Sequence, residues 1–162
     1  MTAQAVAEAQ LAPYPYQDTS PLLREQHFGI AEGVAWTTHR VPGLSLEDHI
    51  AEGACPAPLS RSEKFPGGEC TNDLTCRALL AVQELLLPWV WKAMRERRTD
   101  IHVAVVSHEL CIAEILVALV RMNSGGARQT DFAYDGLQNT AWARVSVQVK
   151  VGRSIPLELR PS

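Results

Sequence analysis

The stretch His102-Val-Ala-Val-Val-Ser-His-Glu-Leu-Cys-Ile-Ala-Glu114 decides the fold. Residues 101–106 form a short, nearly continuous apolar and β-branched run, which is typical of a buried parallel strand. Ser107 and His108 end this run, and apolar residues then recur at helical spacing over residues 110–120. The pattern therefore predicts a strand followed directly by a helix, with His108 at their junction.

Further helical and extended patterns lie on both sides of this unit. A helix is predicted from Asn72 or Asp73, where an N-capping side chain precedes an apolar series, and Pro88 is expected to kink or split it. Residues 141–151 alternate in polarity, which predicts a strand with one wetter face. The series helix, strand, helix, strand predicts an α/β domain of three layers, with a mostly parallel sheet and flanking helices.

Two other segments are less regular. Residues 2–11 are rich in alanine and other helix formers, so they are interpreted as the tail of a helix that begins upstream. Residues 42–68 contain many prolines and glycines and predict a long loop that is either functional or mobile.

Composition restricts the class of protein. A chain of 162 residues with 46% hydrophobic residues fits a single domain over residues 1–162. A net charge of -3 argues against binding to nucleic acid or an anionic membrane. The four cysteines lack zinc-site spacing and are interpreted as free thiols, and we expect no metal or cofactor. With no signal peptide and no apolar run of membrane-spanning length, the protein is expected to be soluble and cytoplasmic.

His108 is the first candidate for chemistry. The carboxyl end of a buried strand, followed by a helix N-terminus, is where α/β sheets bind anionic ligands, and a protonated histidine there would add a charged donor. A histidine that only caps the helix or fills a polar gap fits this stretch equally well. The stretch by itself leaves both interpretations open.

Four motifs in order resemble elements of the histidine phosphatase (phosphoglycerate-mutase-like) superfamily. Leu22-Leu-Arg-Glu-Gln-His-Phe-Gly-Ile-Ala-Glu-Gly33 resembles its L-x-E-x-x-F-G-x-x-E-G element, and Phe65-Pro-Gly-Gly-Glu69 resembles its P-G-G-E-S turn. Val105-Val-Ser-His108 resembles the strand end with its second active-site histidine, and Asn139-Thr140 resembles its N-T/C-S step. The resemblance extends to about residue 151, and residues 108–112 and 137–142 look most like fungal members.

The resemblance implies a phosphatase or mutase that works in two phosphoryl-transfer steps through a phosphohistidine. By this resemblance, Glu25 matches the general acid and His108 the second histidine, which clamps the phosphoryl oxygens. Glu69 matches a turn residue near the substrate entrance, and Asn139 matches a polar residue at the sheet edge of the site. The implied partner is a small phosphorylated molecule.

The family pattern is incomplete in this sequence. The superfamily's nucleophile lies in an Arg-His-Gly step near the N-terminus, and none of the five histidines here stands in such a step. We therefore expect an N-terminally truncated domain without phosphohistidine chemistry. The alternative is a non-catalytic module that binds a phosphate ligand or a protein. Because the first strand is central to the family's sheet, we also expect that the chain is poorly stable, self-associates or needs another chain to supply the strand. Residues 101–106 are where we expect exposed apolar surface.

Overall fold

The computed structural model describes residues 2–10, 16–37, 39–123, 141–147, 149 and 157–161. Within these residues the chain forms five α-helices: α1 (Thr2–Glu8), α2 (Leu46–Ala51), α3 (Thr71–Ala81), α4 (Leu87–Glu96) and α5 (Glu109–Asn123). Two short 3-10 turns, Pro21–Leu23 and Gly29–Ala31, lie between α1 and α2, and two strands, β1 (Ala143–Val147) and β2 (Leu157–Pro161), follow α5.

Helix α3 begins slightly earlier than the sequence predicts. The N-cap is Cys70, whose sulfur accepts a hydrogen bond from the Asp73 amide at 3.4 Å. The Asp73 carboxylate in turn accepts from the Cys70 amide at 3.0 Å. These reciprocal bonds form a capping box, so Asp73 supports the helix from its third position and does not cap it.

The predicted interruption by Pro88 takes the form of a π turn. Residues Val82–Leu86 form this turn between α3 and α4, and the Leu87 amide bonds to the carbonyl of Val82, five residues back. Proline has no amide hydrogen and cannot donate to the carbonyl four residues before it. A wider turn just before Pro88 lets the chain continue as a helix despite the lost bond.

The continuous helical stretch Thr71–Glu96 corrects one expectation about membranes. By length and composition alone, its 26 residues could cross a bilayer, although no apolar run of that kind was expected. One such helix is weak evidence, because core helices of soluble proteins pass the same test. The absence of a membrane partner therefore stays a prediction.

The main core lies between α3 and α5. The α5 helix extends over and beyond the predicted residues 110–120, and Ile115 and Leu116 are buried as expected. Leu110, the first residue of that apolar series, is 40% exposed, because it lies in the first turn of α5. The fully or nearly fully buried residues of this cluster are Leu74, Ala78, Val82, Cys111, Ile115 and Ala118.

Residues 42–68 contribute to a second, smaller core and contain a helix that the sequence pattern does not reveal. Helix α2 begins with a capping box between Ser45 and Asp48. His49 is buried, where its Nδ1 donates to the Ser45 carbonyl at 2.7 Å and its Nε2 accepts from the Val41 amide at 2.8 Å. The buried hydrophobic residues of this cluster are Ala31, Leu46, Cys55 and Phe65.

The predicted strand at residues 101–106 is wrong for this structure. These residues are described, but they form no strand, and Val103 is 46% exposed. A parallel strand requires neighbours that supply ladder hydrogen bonds, and none of the described residues pairs with this run. The exposed apolar surface expected there is found at Val103, whereas Val105 packs against the main core.

The described strands form an antiparallel pair. The predicted strand within residues 141–151 is confirmed as β1, which pairs with β2 in the register Val145 to Leu159. A single parallel bridge links Thr37 and Pro56 elsewhere. In the described part of the chain no larger parallel sheet is formed, so the three-layer arrangement stays a prediction.

Candidate active site

The Glu25 side chain lies at the N-terminus of α5. Its Oε2 accepts from the Leu110 amide at 3.4 Å, and its Oε1 accepts from the Cys111 amide at 3.3 Å and the Gln26 amide at 2.9 Å. The first amides of a helix lack intrahelical partners and carry the positive end of the helix dipole. Glu25 is therefore held where a helix favours an anion.

His108 stands at the same helix terminus. Its carbonyl accepts from the Ile112 amide at 2.8 Å, which places it at the first turn of α5. Its side chain is exposed and makes no hydrogen bond or ion pair with the other described residues. The structure thus brings the two predicted catalytic residues, Glu25 and His108, to one end of one helix, although 83 positions separate them (108 minus 25).

Glu69 lies beside this segment, but its carboxylate is used inside the protein. It accepts from the Arg24 guanidinium at 2.7 Å, the His27 amide at 3.0 Å, and Arg77 at 3.0 and 2.9 Å. Burial opposes its ionisation, yet the hydrogen bonds from Arg77 and His27 and the charges of Arg77 and Arg24 hold the pKa of Glu69 below its ordinary value. No structural observation tests its predicted role near the substrate.

Arg77 is the residue of this region that the sequence reasoning missed. It projects from α3, is largely buried, and donates to the carbonyls of Leu22, Arg24 and Glu25 as well as to Glu69. Its signal in the sequence is slight, since it is one cation among the apolar positions of a helix. Only the fold shows that its guanidinium meets a segment more than fifty residues earlier.

Two of the motifs that carry the family resemblance pack directly on each other. The Ile30 amide donates to the Pro66 carbonyl at 3.1 Å, and the Glu69 amide donates to the His27 carbonyl at 2.7 Å. A Cβ on Gly29 would overlap the backbone of Pro66 and Gly68. Glycine is therefore required at this position for the two turns to approach so closely.

The remaining predicted site residue, Asn139, lies outside the described residues. Within the described ones, no group of three histidine, cysteine or acidic side chains is placed to hold a metal ion. All four cysteines are free thiols, three of them buried, and burial raises the pKa of Cys55. The chemistry available at the α5 terminus is thus that of backbone amides, one carboxylate and one exposed imidazole.

A comparison with protein families decides the relationship. The model of the histidine phosphatase superfamily (branch 1) matches residues 1–153. The chain belongs to the histidine phosphatase superfamily. Membership implies the superfamily's phosphoglycerate-mutase-like α/β fold and suggests phosphatase or mutase chemistry. No curated protein and no solved structure matches the chain.

Proposed function

We propose that this histidine phosphatase superfamily member keeps a binding site for a small phosphorylated molecule at the N-terminus of α5. The observation that carries the proposal is the Glu25 carboxylate on the amides of Leu110 and Cys111, next to the exposed side chain of His108. Donors that hold one oxyanion can hold another, because amide groups and the helix dipole interact with phosphate in the same way.

The roles of the two residues follow from this placement and from family membership. His108, when protonated, donates to a phosphate oxygen, whereas the proton-donor role that the resemblance gives Glu25 would operate only together with a nucleophilic histidine. By the family resemblance, we assign Glu69 to the substrate entrance and Asn139 to the polar residues of the site. The closeness of the chain to fungal members and the cytoplasmic location also stay part of this proposal.

We further propose that these 162 residues do not perform phosphohistidine chemistry. They contain no Arg-His-Gly step, so no histidine stands in the context that the family uses as nucleophile. Phosphoryl transfer through a covalent intermediate requires that nucleophile in line with the leaving oxygen. The proposed site therefore acts as a non-catalytic phosphate-ligand site in these residues.

Calorimetric titration with inorganic phosphate and a sugar phosphate tests the binding proposal. The wild-type chain should give saturable heat, and His108→Ala should weaken binding at least about tenfold, equivalent to about 1.4 kcal/mol for one charged donor. His102→Ala, an exposed histidine six positions earlier (108 minus 102), is the matched control and should bind as wild type. Equal phosphate affinity in His108→Ala and His102→Ala would show that His108 does not contact the ligand.

Hydrolysis of p-nitrophenyl phosphate tests the second proposal. We expect no rate above that of the buffer for the purified chain. A measurable rate that His108→Ala abolishes would show that the chain is an active phosphatase.

A further inference from the structure

Arg77 uses every hydrogen-bond donor it has. Its Nε donates to Glu69 at 3.0 Å, Nη1 donates to the carbonyls of Leu22 and Arg24 at 3.0 and 2.8 Å, and Nη2 donates to the carbonyl of Glu25 at 3.1 Å and to Glu69 at 2.9 Å. A guanidinium has five N–H groups, and all five are engaged here. The side chain is only 11% exposed, so these bonds form largely away from water.

Glu69 also makes several hydrogen bonds, and they hold the residues that follow Glu25 in the chain. Its side chain accepts from the His27 amide, and its backbone carbonyl accepts from the Gln26 side chain at 2.8 Å. Its backbone amide donates to the His27 carbonyl at 2.7 Å. Arg77 and Glu69 therefore hold main-chain groups both before and after Glu25, and an ion pair joins the two holders.

These bonds fix the backbone position from which the Glu25 side chain extends. With the chain held at Leu22, Arg24 and Glu25 by Arg77 and at His27 by Glu69, the Glu25 carboxylate reaches the amides of Leu110 and Cys111. Ser107 adds one more tie, since its Oγ donates to the Leu23 carbonyl at 2.6 Å. Such preorganisation of a functional group by its supporting residues is a general requirement of precise sites.

We propose that Arg77 and Glu69 are positioning residues that set Glu25 against the N-terminus of α5. The functional meaning of this inference rests on the proposed function, whereas its test does not require phosphate binding. Lysine cannot replace Arg77, because an ammonium group has three donors and lacks the planar fork that spans Glu69 and the carbonyls. Glutamine cannot replace Glu69, since it loses the charge that pairs with Arg77.

The test measures the amide signals of Leu110 and Cys111 by nuclear magnetic resonance in the full chain, without phosphate. Glu25→Ala gives the reference positions of these signals when no carboxylate is bound. In Arg77→Met both signals should move from their wild-type positions by more than half of the chemical-shift difference between wild type and Glu25→Ala. In Arg77→Lys the movement should be smaller than in Arg77→Met. Arg40→Met, which breaks the Arg40–Glu63 ion pair outside α3 and α5, is the matched control and should leave both signals at their wild-type positions.

A folded Arg77→Met chain whose Leu110 and Cys111 signals stay at the wild-type positions would overturn the proposal. If that variant does not fold, Glu69→Gln takes its place and is judged by the same displacement. Movement of both signals in Arg40→Met as well would also overturn it, since the response would then be global. A wild-type chain that binds no phosphate would refute the proposed function and leave this measurement unaffected.

Discussion

At the scale of single residues, the contact between residues 27–30 and 66–69 depends on the absence of side-chain atoms. Gly29 has a φ of +59°, and its Cα faces the carbonyl of Pro66. Gly33 has a similar φ of +74° but open space around it. Both glycines therefore adopt the left-handed backbone conformation that favours glycine.

Gly29→Ala should lower the free energy of unfolding by about 2–4 kcal/mol, because it adds a backbone clash to the strain of a left-handed conformation. Gly33→Ala is the control, since it imposes the same strain without the clash and should cost about 1–2 kcal/mol. Urea unfolding followed by circular dichroism measures both. Equal losses in the two variants would show that the contact with Pro66 is not tight.

Glu25→Gln should bind inorganic phosphate roughly tenfold more tightly than the wild type, because it removes a negative charge that competes for the amides of Leu110 and Cys111. Glu84→Gln removes the same charge from an exposed position in the π turn and should leave the affinity unchanged. Calorimetry at constant ionic strength is the measurement. Weaker binding by Glu25→Gln would mean that the carboxyl group assists the ligand.

At the scale of elements, α3 and α5 support both the core and the site. One face of α3 packs on α5, and Arg77 projects from the same helix to the segment that holds Glu25. The apolar spacing of each helix predicts the packing, and the cap at Cys70 fixes where α3 begins. Loss of this packing would therefore displace the site as well as the core.

Leu74→Ala should reduce the free energy of unfolding by about 2–5 kcal/mol, because Leu74 is fully buried between the two helices and its loss leaves a cavity. Leu79→Ala, on the same helix but 39% exposed, should cost less than about 1 kcal/mol. Thermal and urea unfolding distinguish them. Similar losses of unfolding free energy in the two variants would show that Leu74 is not the residue of α3 that packs on α5.

At the scale of the whole molecule, ion pairs connect segments that are distant in sequence, and the apolar run at residues 101–106 has no strand partner among the described residues. Glu69 links residues 24–27 to α3, Glu63 pairs with Arg40, and Glu114 pairs with Arg61. In contrast to the segments that these ion pairs join, residues 101–107 make no backbone-to-backbone hydrogen bond with the described residues. Stability and assembly should both respond to these features.

Stability should fall as the solution is acidified below the ordinary carboxyl pKa of about 4.5. The folded-state pKa of Glu69 is lowered, so its contribution is present above the unfolded pKa and is lost as pH falls through the folded one. Hydrogen bonding from Arg40, with burial opposing it, lowers the pKa of Glu63 in the same sense. Urea unfolding from about pH 7 to about pH 3 should show this loss, with a smaller slope in Glu69→Gln.

We propose that copies of the chain associate through residues 101–106. This run makes no backbone-to-backbone hydrogen bond with the described residues, and its Val103 is exposed, so it can pair with a strand of another copy. Sedimentation velocity should show dimers or larger species, which Val103→Lys shifts toward monomer. Val34→Lys, at a loop position of similar exposure, is the control. A wild-type chain that sediments as a monomer at all concentrations would refute the association.

The sequence by itself determined α5 and the place of His108 just before it, and its periodicity and proline placement predicted a helix from Asn72 or Asp73 that is interrupted at Pro88. These features depend on contacts within a few residues, where side-chain type and backbone preference act directly. Four motifs in order also indicated the family. The strand predicted at residues 101–106 failed, because a strand exists only when another segment pairs with it. The tertiary structure alone decided that Arg77 and Glu69 hold the chain around Glu25 and that Glu25 meets Leu110 and Cys111. Those contacts join residues 42 to 86 positions apart, and their partners are selected by packing of the whole chain, which local preference does not encode.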